Sequence, residues 1–253
     1  PLHPLIGHRL QAGGTEWRHL LDAVIVPYLA DHRIDDEIVM PGTGFAEMAL
    51  AAAREIYPDG PIGLEDFDLL QWLPLQAGQM REIAVRLSVD TGMVEISSRP
   101  RHAGDEWTLH ARGRVIRPTS ATPAFVPPTD LPHHMTAERV YASASDAGVE
   151  YGTAFRRVIA ARRDDKVIEI DLSPIEAGSG AFTRAHVLHP VALDAAFHAL
   201  FENIKLRPGE RYAYLPVRFA SLRVDRDGGM PARARVVVDR ETDQSLSIAA
   251  TLY

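Results

Sequence analysis

The sequence predicts an α+β protein in which an antiparallel sheet wraps a buried helix, an arrangement made twice in tandem. Three observations carry this reading. Two helical runs, one opening at Pro41-Gly42 and the other at His189-Pro190, are too apolar to lie on a surface. Each is accompanied by segments that alternate apolar and polar residues. Between the two groups lies a proline-rich stretch that suits neither a helix nor a central strand.

The elements follow in chain order. His32 sits in a loop running from Asp31 to Met40. Pro41 and Gly42 then open a helix through Phe45-Ala46-Glu47-Met48-Ala49-Leu50-Ala51-Ala52-Ala53. Residues 82–89, 93–98 and 106–115 alternate like antiparallel strands. Pro118, Pro123, Pro127, Pro128 and Pro132 then mark a linker over 118–135. It divides the chain into an N-terminal unit, 1–117, and a C-terminal unit, 136–253. After it, 166–171, 221–224, 234–239 and 245–252 alternate in the same way. The second helix starts at Pro190, with Leu193, Phe197 and Leu200 on an apolar side. Asp194 and His198 stand four apart and therefore share a face.

Composition narrows the function. The 253 residues suffice for one large domain or two fused smaller ones. A net charge of −7 gives no global field that would draw nucleic acid or anionic lipid. The absence of cysteine excludes disulfides, a thiol nucleophile and thiolate metal sites, and it fits a reducing cytoplasm. No apolar run approaches the length of a membrane span. The opening Pro1-Leu2-His3-Pro4-Leu5 is neither an initiator methionine nor a signal peptide, and the chain reads as a segment of a longer polypeptide.

Two residues carry the chemistry. His32 lies near the start of an apolar helix, where unpaired backbone N–H groups can stabilise an oxyanion. A base beside such a site suggests proton abstraction next to a carbonyl. Asp194 lies on a helix apolar enough to bury it, and burial raises a carboxyl pKa and favours proton donation. Plainer readings exist: a structurally bonded loop histidine for His32, a helix-start carboxylate for Asp194, core packing for Tyr151 and Phe155. His133-His134 reads as a solvated loop pair without metal-ligand spacing. The arginines at 156, 157, 162 and 163 read as a solvated face, with a docking patch for an acidic protein as the minor alternative.

Several motifs, in order, resemble those of the dehydratase domains of modular polyketide synthases. His3-Pro4-Leu5-Ile6-Gly7 resembles the family's HPLLG opening. His32 through Pro41 matches HxxxGxxxxP except that Asp36 replaces the glycine. Tyr151-Gly152-Thr153-Ala154-Phe155 resembles YGPxF, with Thr153 in place of proline. His189-Pro190 leading to Asp194 and His198 matches HPxxxD with the following DxxxQ/H, and Leu215-Pro216-Val217-Arg218-Phe219 resembles the LPFSW-like segment. The resemblance spans nearly the whole chain.

The family implies a double hotdog fold and the dehydration of a 3-hydroxyacyl thioester on acyl carrier protein to the 2,3-unsaturated thioester. By this resemblance His32 is the base and Asp194 the acid. The Gly42 N–H, after Pro41, holds the thioester oxygen, and His198 orients Asp194. Tyr151 lines the site and Gly152 lets the chain pass close to substrate. Met40, Phe155, Leu193 and Pro216 contact the acyl chain. No metal or redox cofactor is implied, since phosphopantetheine delivers the substrate. Implied partners are acyl carrier protein, neighbouring synthase domains and a second copy, with the N-terminal segment near the dimer interface. Same-fold alternatives are double-bond isomerisation, cyclisation or a catalytically silent domain. Asp36 either supplies a positive φ that glycine would otherwise supply or crowds the pocket mouth.

Overall fold

The computed structural model describes residues 3–76, 78–102, 104, 106–119, 131–175, 185–203, 216–225, 231–242 and 245–253. The first half holds β1 (His8–Arg9), β2 (Glu16–Leu21), β3 (His32–Ile34), β4 (Glu37–Ile38), α1 (Gly42–Ile56), β5 (Ile62–Leu69), β6 (Arg81–Leu87), β7 (Met93–Pro100) and β8 (Thr108–Ile116). The second holds β9 (His133–Thr136), α2 (Ala137–Asp146), β10 (Val149–Tyr151), β11 (Val158–Arg163), β12 (Val167–Leu172), α3 (Pro190–Ala195), β13 (Arg218–Val224), β14 (Arg233–Glu241) and β15 (Leu246–Leu252).

The strands form a seven-stranded sheet in the order β1-β2-β6-β7-β8-β5-β13, a five-stranded sheet in the order β15-β14-β12-β11-β9, and a three-stranded ribbon in the order β10-β3-β4. α1 is the core of the first half. Every residue from Thr43 to Ala53 is buried, and the helix packs on β5 through β8 and on α3. Its small residues let the sheet close around it, while Phe45, Met48 and Leu50 each contribute about 1.5–3 kcal/mol by burial. A second apolar cluster, including Phe155, Val191, Ala195 and Ile170, fills the other half.

The architecture matches the expected one, and two strands cross between the halves. β13 comes from the C-terminal unit but closes the edge of the first sheet, with Phe219 opposite Phe67 and Leu222 opposite Leu64. β10 pairs with β3, placing Tyr151 opposite His32. The halves therefore interlock. Part of the 118–135 linker lies outside the described residues, but its end is β9, whose His134 pairs with Arg162. His133 and His134 are exposed, as expected, but lie on a strand and not in a loop. An edge strand can follow a proline directly, because its outer N–H groups need no partner. The opening segment buries Leu5 and Ile6 in its own core, so its apolar character is satisfied within the chain.

Candidate active site

β3 and β4 form a hairpin whose two central residues, Asp35 and Asp36, both have positive φ, 47° and 67°. Two-residue turns of that kind match strand twist and favour Asn, Asp or Gly. Asp36 is exposed at this tip, so the first of its two readings describes it: it supplies a left-handed conformation. The hairpin presents His32, which is 6% exposed. His32 Nδ1 donates to the Val39 carbonyl at 2.9 Å. A carbonyl can only accept, so Nδ1 carries the hydrogen and the lone pair sits on Nε2. Burial lowers the His32 pKa, partly offset by the Asp194 charge, so the ring is neutral and basic near pH 7.

Asp194 projects from α3, also 6% exposed. It is the fifth of six helical residues and so lies beyond the first turn, where the helix dipole would hold it. α3 is launched by Pro190, with His189 as N-cap accepting from the Val191 N–H. His198, in the 3-10 turn His198–Asn203, meets Asp194 Oδ2 at 2.9 Å through Nε2. His198 Nδ1 is buried with no hydrogen-bond partner among the described residues. An unpaired lone pair there costs less than an unpaired N–H, so the hydrogen sits on Nε2 and donates to Asp194. Thr43 Oγ1 donates to Asp194 Oδ1 at 3.4 Å. The Tyr151 ring stacks on His198 at 3.9 Å. Burial and the Asp194 charge push the Tyr151 pKa well up, so the phenol keeps its proton.

These donors correct one expectation. Burial by itself would raise the Asp194 carboxyl. The hydrogen bond from His198, the Thr43 hydroxyl and the nearby His198 and His32 rings outweigh it and hold the pKa below the usual carboxylate value. The reading from an apolar helix alone had no view of these partners.

The remaining residues fall around this pair. Pro41 is extended and no side chain caps α1, so the first N–H groups of the helix have no side-chain acceptor at the cap. A Cβ on Gly42 would lie 2.7 Å from Leu69 Cδ1 and 3.0 Å from Pro216 Cγ, so Gly42 is needed for close packing beneath both. Phe155 lies 5.3 Å from the His32 ring and walls it. Leu193 is buried beside Asp194 in α3, and Met40 is drawn into the first core against Gly44. Gly152 does permit a close approach, but to Asp31: a Cβ there would overlap the Asp31 carboxylate, whose Oδ2 accepts from Ala154 N–H at 2.7 Å. Leu215 lies outside the described residues. Sequence reasoning missed Thr43, Asp31 and the buried His186. For Thr43 a signal existed, a hydroxyl in the first turn of an otherwise apolar helix.

A neutral histidine near a carboxyl, with a helix beginning ten residues later at Gly42, can take a proton from carbon next to a carbonyl and assist a leaving oxygen. Residues 3–99 match the family model described as polyketide synthase dehydratase domain, and residues 119–252 match the model described as polyketide synthase dehydratase N-terminal domain. Mycoketide-CoA synthase of Mycobacterium tuberculosis is 31% identical over 98% of this chain, and a phenolphthiocerol/phthiocerol polyketide synthase of the same species is 28% identical over 88%. The chain spans only 6% and 11% of those synthases. Among solved structures, GphF dehydratase 1 superposes with a TM-score of 0.85 at 23% identity, covering 100% of this chain and 93% of that one. An inactive mutant of CurK dehydratase gives 0.81 at 20%, covering 100% and 99%. The fold is a double hotdog, and the chain belongs to the polyketide synthase dehydratase domain family.

Proposed function

We propose that this domain removes water from a 3-hydroxyacyl thioester, delivered on the phosphopantetheine arm of acyl carrier protein, to give the 2,3-unsaturated thioester. The observation that carries the reading is the tautomer of His32: with Nδ1 donating to Val39, Nε2 is left as a basic nitrogen on a ring close enough to Asp194 to feel its charge. His32 takes the α-proton, and the Gly42 N–H holds the thioester oxygen as charge builds. The Cα–H electron pair becomes the double bond as the Cβ–O bond breaks. Asp194 gives its proton to the departing oxygen, which leaves as water. Exchange with solvent then restores both groups. The acid must enter protonated. A bound acyl chain displaces the remaining solvent from the carboxyl, which moves its pKa upward from the depressed value of the free site.

Phe155 and Leu193 supply an apolar wall for the acyl chain. The chemistry needs no metal or redox cofactor. Asp36, the feature that suggested a silent domain, sits at an exposed turn, and Asp194, which an isomerase reading would lack, is present. Neighbouring synthase domains and a second copy of the chain complete the partners, and sedimentation velocity tests the dimer. Incubation with a 3-hydroxyacyl pantetheine thioester tests the reaction. Mass spectrometry should find a product lighter by one water, and recovery of unchanged substrate refutes the proposal.

A further inference from the structure

Glu47 is a charged residue in the middle of a helix whose other buried positions are apolar or small, and it is 1% exposed. Its carboxylate does not point to the reacting pair. Oε1 accepts from the Val187 N–H at 2.8 Å, and Oε2 accepts from the Leu188 N–H at 2.8 Å. Oε1 also meets His3 Nε2 at 3.0 Å. His3 Nδ1 accepts from the Leu5 N–H, so Nε2 carries the hydrogen and donates to Glu47.

The two amides it grips come immediately before His189 and Pro190, where α3 begins. Thr43 stands four residues before Glu47, so both side chains leave the same face of α1. Thr43 bonds Asp194 itself, and Glu47 bonds the segment that launches its helix. α1 also begins at Gly42. One rigid helix therefore fixes the helix-start amides and, through Glu47, the position of the carboxyl from the other half.

We propose that Glu47 is a positioning residue that sets the placement of Asp194 relative to His32 and the start of α1. This rests on the dehydratase reading of the site. A bidentate carboxylate between two successive amides fixes both distance and direction, as a single hydrogen bond would not. Loss of one arm lets α3 shift, and displacement of a catalytic group by about 1 Å can cost on the order of 100-fold in rate.

Glu47→Gln is nearly isosteric but turns an NH2 group toward one of the two amides, donor against donor. Three quantities are measured on the folded domain: kcat and KM for a 3-hydroxyacyl pantetheine thioester, and amide hydrogen exchange across 185–198. Glu47→Gln should lower kcat at least about tenfold with KM within about twofold, because alignment is lost and not binding. Exchange at Val187, Leu188 and through α3 should accelerate. Glu47→Asp keeps both acceptors on a shorter stem and should recover part of kcat. It is read alone if the Gln variant does not fold. His3→Gln should leave kcat near the parent value.

A folded Glu47→Gln domain that melts earlier yet keeps the parent kcat well below its melting temperature overturns the proposal, since a purely structural role predicts that result. If the parent turns nothing over, the dehydratase reading fails and exchange alone decides: unchanged protection at 187–194 overturns the positioning role. Parent amides at 187 and 188 that exchange like exposed loop amides overturn it without any variant.

Discussion

Lowering the pH from 7 to 5 should remove about 4 kcal/mol from the folding free energy through His3 and His189 alone. Both rings are buried, 8% and 5% exposed. Burial pushes the His3 pKa down to about 4, against a smaller opposing pull from the Glu55 charge. Burial, with His186 beside it, pushes His189 down to about 3. In the unfolded chain each titrates at 6.5. Below that value the unfolded chain binds protons that the folded chain refuses. The contribution is therefore complete above pH 6.5, and it is lost as the pH falls toward the folded values. At pH 5 the ratio of proton binding in the two states gives about 2 kcal/mol per ring. Against a typical domain stability of about 5–15 kcal/mol, that is a large fraction. His32, His19 and His110, also lowered chiefly by burial, steepen the dependence.

The assay is urea unfolding followed by circular dichroism at intervals from pH 7 to 5. The slope of stability against pH should correspond to an uptake of at least about two protons on unfolding. His189→Asn keeps an acceptor for the Val191 N–H, as Asn is a favoured N-cap, and removes one titrating ring. Its slope should fall by about one proton. Stability that stays flat across this range would show that the folded state does not hold these rings neutral. A slope unchanged in His189→Asn would remove His189 from the account.

Further expectations concern the site and its turns. His32→Ala should abolish turnover, and Asp194→Asn should lower it about 100-fold or more. His198→Gln should cost less, since an amide N–H can still donate to Asp194 Oδ2. Turnover of one 3-hydroxyacyl pantetheine thioester by variants checked for folding measures all three. Asp36→Gly relieves a left-handed conformation at φ 67°, so it should leave turnover unchanged and raise stability by up to about 1 kcal/mol, read from the denaturant midpoint. Gly42→Ala places a methyl 2.7 Å from Leu69 Cδ1. It should lower stability by about 1–3 kcal/mol and depress turnover, with Leu69→Ala in the same chain restoring part of both.

Some of this was legible in the sequence, and the reasons are physical. The strands over 82–89, 93–98 and 234–239 alternate because one face is buried, and they appear as β6, β7 and β14 within a few residues of the expected bounds. α1 announced itself by being apolar on all sides. β5 did not, because a bulge between Glu65 and Asp68, with Asp66 at positive φ, breaks its alternation while still burying Phe67. α2 buries only Val140, Tyr141 and Ala144, so its apolar stripe is too thin to stand out, although Thr136 caps it.

The site divides along the same line. His32, Asp194 and His198 could be named because the proposed chemistry demands those residue types. Their mutual placement could not, because it is set by contacts between residues far apart in the chain: Tyr151 opposite His32, Gly152 against Asp31, Thr43 on Asp194, Glu47 on Val187 and Leu188. The wrong direction inferred for the Asp194 pKa has the same origin. Burial is a property of one helix and can be read from its composition, whereas the groups that outweigh burial come from α1, β3 and the 3-10 turn after α3. The interlocked strands hold those groups in place, since β10 pairs with the strand that carries the base and β13 closes the sheet around α1. A proton-transfer pair drawn from two halves of a chain needs such crossing contacts, because a flexible junction would let base and acid drift beyond hydrogen-bond reach of one substrate.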